Sequence, residues 1–131
     1  MKNTIFKLLE YLYYFCLVSL FILYLFPGSL IGYFLYGNMG QQPDLIPNPI
    51  GTSINHLISF ICLSSLAFIV RVRERKFINS FKFLFFTSIV LEILHYFIPN
   101  RAFEYYDLLG NTIGVVFTYL LINLILKIKI S

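Results

Sequence analysis

The sequence predicts an all-α, polytopic membrane protein: four transmembrane helices in one membrane unit over residues 1–131, with both termini in the cytoplasm. Composition supports this first. Of 131 residues 59% are hydrophobic and only 12% are charged, against about a quarter in a soluble domain. So little polar surface cannot cover a water-soluble body. Four apolar stretches follow, each near the roughly 20 residues that carry a helix across hydrocarbon. Finally, the basic residues cluster beside those stretches, as cytoplasmic loops and ends do.

Each element has its own warrant. The first stretch, about 5–26, stops at Pro27-Gly28. Lys2 and Lys7 give it a basic start. It is long and lacks a small-x-small cleavage site, so it reads as a retained helix rather than a signal peptide. The second, about 51–70, is uncharged and stops at Arg71. The third, about 77–98, is interrupted by Lys82 and Glu92 and stops at Pro99-Asn100. The fourth, about 108–126, stops at Lys127. No alternation suggests a barrel, so the backbone must satisfy itself in helices.

Between the first two helices lies an external segment, 28–50. Its glycines and prolines oppose a regular helix in the latter half. Tyr33, Phe34 and Tyr36 suit the headgroup layer. It reads equally as an interfacial lid or as a plain connection.

Charge fixes the orientation. With both termini and the Arg71–Lys76 loop in the cytoplasm, every Lys and Arg lies inside except Arg101. The net charge of +4 is therefore a topology signal, and no nucleic-acid partner is expected. Cys16 and Cys62 sit in separate apolar stretches and form neither a disulfide framework nor a metal motif.

Chemistry is confined to one cluster. Glu92 and His95 are neighbours on the third helix, and Asp107, Asn111 and Gly114 form one stripe of the fourth. At about 1.5 Å per residue, Glu92 lies about 10 Å below the outer surface, His56 about 8 Å and Asn111 about 6 Å. Polar groups from three helices thus reach one layer. An ionisable group at such a depth is a functional-site hypothesis by default.

Plainer readings exist for each. Asp107 can cap the fourth helix, Asn111 can join helices, His56 can be a packing residue, and Arg101 can reach for headgroups. A Glu92–Arg101 ion pair would account for the deep acid. Gly110 and Gly114 form G-x-x-x-G, which means close helix packing or contact between chains in a homo- or hetero-oligomer.

The functional reading is an outward-facing polar pocket. Arg101, with Asp107 and Asn111, would hold the anionic head of a membrane lipid or lipid-linked envelope precursor. Glu92, with His56 or His95, supplies acid–base groups if the site is catalytic. A metal held by His56, Glu92, His95 and Asp107 is chemically possible, but their spacing matches no standard ligand motif, so no metal or other cofactor is expected. A structural subunit of a larger complex is the third reading.

From Asn55 to about Leu120 the chain resembles the VanZ-like family of small bacterial membrane proteins. The residues that carry this are Asn55-His56-Leu57-Ile58-Ser59-Phe60, Glu92-Ile93-Leu94-His95, Pro99-Asn100-Arg101-Ala102-Phe103, and the run from Asp107 to Gly114. The family pattern is approximately E-x-x-Q, P-x-R, D-x-x-x-N-x-x-G, and its spacing is kept without a gap. Thr52-Ser53 stands where the family usually has Asp-Lys, and His95 where it has Gln. The resemblance implies a multi-pass protein of the bacterial cytoplasmic membrane, associated with the cell envelope and low-level teicoplanin-type resistance. It marks Glu92, Arg101, Asp107 and Asn111 as signature positions, with His56 a weaker match.

Overall fold

Tyr13, Leu17, Leu20 and Tyr24 recur at four-, three- and four-residue steps, the period of one helix face. They are the buried stripe of α1 (Lys2–Leu25) in the computed structural model, which describes residues 2–130. Gly28, at φ 94°, turns the chain after α1. α2 (Leu30–Tyr36) is a short helix whose Ser29 cap accepts a 2.9 Å hydrogen bond from the Gly32 N–H. Gly37 ends it in the left-handed conformation at φ 67°. A Cβ on Gly32 would fall 1.6 Å from the Gln41 carbonyl oxygen, so only glycine lets the following coil fold back on α2.

α3 (Ser53–Arg71) descends antiparallel to α1, α4 (Phe81–Leu94) rises, and α5 (Tyr105–Ile130) descends. A 3₁₀ turn at Phe77–Asn79 precedes α4 and is tied to α1 by the Tyr13 hydroxyl, which donates to the Ile78 carbonyl at 2.6 Å. The segment expected to be an external lid or loop thus holds one short helix, followed by irregular chain through residue 50.

Three helices, α1, α3 and α5, are long and apolar enough to cross a membrane. The third apolar stretch is not one helix over 77–98. Ser80 caps α4 by accepting from the Phe83 N–H at 3.1 Å, and the chain leaves the helix after Leu94, ahead of Pro99. Fourteen residues reach only about 21 Å, short of the roughly 30 Å hydrocarbon core.

Gly110 and Gly114 are spent inside the chain. A Cβ on Gly110 would lie 2.7 Å from the Ser53 carbonyl oxygen, and one on Gly114 would lie 2.8 Å from that of Leu57 and 2.9 Å from the Phe60 Cβ. Their lack of side chains is what lets α5 lie against α3. Contact between chains through this stripe would need a surface that α3 occupies.

Candidate functional site

The polar residues meet at the end of the bundle where α1 stops, α3 starts, and α4 turns into α5. Asn111 and Glu92 are fully buried there, at 0% exposure. His56, His95 and Asp107 are buried beside them. The structure therefore brings His56, Glu92, His95, Asp107 and Asn111 into one cluster. Arg101 stands above it, in the connection between α4 and α5.

Tyr24, at the end of the buried stripe of α1, joins the parts. Its hydroxyl lies 2.6 Å from Asn111 Oδ1 and 2.7 Å from His56 Nδ1. Its ring stacks on His95, with centroids 5.6 Å apart and planes at 25°. His56 Nε2 faces Asp107 Oδ2 at 3.3 Å. The other carboxylate oxygen of Asp107 accepts a hydrogen bond from the Ser53 hydroxyl.

On the far side, Glu92 Oε1 meets His95 Nδ1 at 3.2 Å and accepts from the Glu104 N–H at 3.1 Å. Asn111 Nδ2 spans the middle, 3.4 Å from the Ser88 carbonyl and 3.5 Å from Glu92 Oε2. His95 Nε2 lies 3.1 Å from the Tyr24 carbonyl oxygen. A carbonyl only accepts, so that nitrogen carries its hydrogen.

Two expectations are corrected. Asp107 is not the cap of its helix: α5 begins at Tyr105, and the Asp107 carboxylate serves Ser53 and His56. Arg101 does not pair with Glu92. Its Nε donates to the Phe26 carbonyl at 3.1 Å and its Nη2 to that of Leu23 at 2.5 Å. These are carbonyls at the C-terminus of α1, where the helix has acceptors to spare and its dipole favours a cation. Burial pushes the guanidinium below its ordinary pKa, while the fields of Tyr24, Glu92 and Asp107 push it back up. Arginine stays charged regardless.

Two hollows share Arg101. One, of about 90 Å³, opens between α2 and α3, and its polar walls are Tyr24, Ser29, Gln42, Asn55, His56 and Ser59. Its other walls include the apolar side chains of Leu23, Leu30 and Ile31. The second, of about 260 Å³, is lined by His95, Glu104 and Asp107 as well as Arg101. Burial and the charges of Asp107 and Glu92 push the Glu104 carboxyl up from its ordinary range. Asn55 holds the coil in place: it accepts from the Leu45 N–H at 3.0 Å and donates to the Pro43 carbonyl at 2.7 Å.

A model of the VanZ/LLP1 family matches residues 11–126, a span that contains every member of this cluster. The chain belongs to the VanZ/LLP1 family. It is a membrane protein of that family, with three helices fit to span. Comparison with curated proteins and with solved structures finds no match.

Sequence reasoning missed Tyr24 as a site residue in this VanZ/LLP1 chain, and with it the Ser53 hydroxyl and the Glu104 N–H. For Tyr24 a signal existed: it closes the stripe from Tyr13 through Leu17 and Leu20, so its hydroxyl had to find a buried partner. For the Glu104 N–H there was none, because any residue supplies a backbone donor.

Proposed function

We propose that the protein holds the anionic head of a membrane lipid, or of a lipid-linked cell-envelope precursor, in the smaller hollow at Arg101. The observation that supports this is the state of the guanidinium. Two of its N–H groups are committed to α1 carbonyls, which fixes its position. Three of the five donors of an arginine remain for a ligand. A fork held in this way binds phosphate oxygens with little ordering cost.

The choice between hollows follows from charge. The larger one carries Glu104 and Asp107, which repel an anion. The smaller one has no carboxylate on its walls, and its leucines and isoleucine suit the first carbons of a lipid. With the termini in the cytoplasm, as the other lysines and arginines favour, this end meets the outer leaflet of a bacterial cytoplasmic membrane. Holding an envelope precursor there would change its presentation to teicoplanin-type glycopeptides.

The test is lipid retention. Wild type and Arg101→Ala, purified in the same detergent, are compared by native mass spectrometry and by lipid extraction. Wild type should carry a phosphate-bearing lipid or isoprenoid-linked precursor that the variant loses at least about tenfold, the cost of about 1.4 kcal/mol. Identical bound lipid in both would end this reading.

A further inference from the structure

The cluster beneath the larger hollow has the geometry of a metal site. We infer that His56 Nε2, Asp107 Oδ2 and a Glu92 carboxylate oxygen together bind a divalent first-row transition ion, with zinc as the natural probe. One atom from each of these residues lies within 4.8 Å of the other two. The His56–Asp107 separation of 3.3 Å equals the edge of a tetrahedron built on metal–ligand bonds of about 2.0–2.1 Å. A Glu92 carboxylate oxygen completes the group within the same 4.8 Å. One imidazole nitrogen with two carboxylates suits zinc or manganese better than the all-oxygen preference of calcium and magnesium.

What surrounds the three side chains argues the same way. A metal-binding histidine is held by a hydrogen bond at its other nitrogen, and a ligating carboxylate by a bond at its other oxygen. Here Tyr24 holds His56 Nδ1, Ser53 holds Asp107 Oδ1, and the Glu104 N–H holds Glu92 Oε1. All three holders lie outside the ligand set.

Charge is the independent observation. Glu92 and Asp107 are buried, and among the described residues no lysine or arginine lies within 4.0 Å of either carboxylate. Two buried carboxylates with no cationic side chain in contact leave a place for a dication to offset them. The hollow above, with Glu104 and Asp107 on its wall, is a path that favours a cation over an anion.

The experiment uses the full chain in detergent, stripped with chelator, dialysed against micromolar Zn²⁺ and measured for metal per chain by mass spectrometry. Wild type should retain about one zinc per chain. Both histidines of the sequence sit in this cluster, so no other imidazole site competes. His56→Ala should lose the ion. Tyr24→Phe, which keeps the ring in the core, should weaken zinc binding by about 10- to 100-fold, the usual cost of a lost outer partner. Lys76→Ala, at the other end of the bundle, should keep it. Folded wild type with no stoichiometric zinc overturns the proposal, and so does unchanged affinity in Tyr24→Phe. If His56→Ala does not fold, the wild-type stoichiometry and Tyr24→Phe decide.

Discussion

The two ends of the bundle use the same kinds of residue in opposite ways. Where the start of α1 meets the Arg71–Lys76 connection, polar side chains pair at the surface: Lys76 reaches Glu10 at 2.8 Å and Glu74 at 2.7 Å, and Arg73 reaches Asn3 at 2.6 Å. Those side chains are solvated and interchangeable, and their pairs contribute little. At the opposite end, two acids, two histidines and an asparagine are sealed inside by four helices. There a missing partner leaves a buried group unsatisfied, which costs far more than the bond itself contributes. Charge at the first end stays at the surface; charge at the second is built into the core.

That contrast can be broken most severely at Gly114. Gly114→Leu must push α5 off α3 at the Leu57 carbonyl and the Phe60 Cβ, and should cost more than about 3 kcal/mol. It should show as aggregation or loss of a monodisperse peak on size exclusion. Full-yield, monodisperse protein would mean that α5 does not pack where described.

Asn111→Ala comes next. It removes the one side chain that touches Tyr24, His56, Ser88 and Glu92 together. Several buried groups lose a partner at once, so a loss of about 2–3 kcal/mol is expected, read as a lowered melting temperature in detergent. A melting temperature within a degree of wild type would show that the network does not stabilise the fold.

Asn55→Ala should act locally. It frees the Pro43–Leu45 backbone without touching the core, at about 1 kcal/mol per bond. Faster proteolysis between residues 38 and 52, at unchanged global melting, is the expected pattern. Cleavage at the wild-type rate would show that Asn55 is not the latch.

Lys76→Ala sharpens the comparison from the other side. Both of its carboxylate partners remain solvated, so no measurable change in melting is expected. Raising the salt concentration should likewise leave wild-type melting unmoved. A clear destabilisation would make the surface pairs matter as much as the buried ones.

Much of this was legible along the chain. The apolar stretches located α1, α3 and α5, because a helix in lipid must be long, apolar and uninterrupted. The depth calculation placed His56, Glu92 and Asn111 in one layer, and the structure brings those three together. The length of α4 was not legible, since Ser80 and the turn after Leu94 look no different from other apolar-segment residues until their hydrogen bonds are seen. Nor was the partner of Arg101: a nearby buried acid was the natural guess, but the free carbonyls of α1 come from residues more than seventy positions away.

The sequence by itself determined the class, the three long apolar helices and the residue types available for chemistry, since those depend on composition and on a period of 3.6. It could not decide who faces whom. A motif read along one chain assumes that neighbours in sequence act together, yet His56, Glu92 and Asp107 come from three helices. Only the packing of α3 on the bare flank of Gly110 and Gly114, with Tyr24 closing the far side, brings atoms of all three within 4.8 Å of one another.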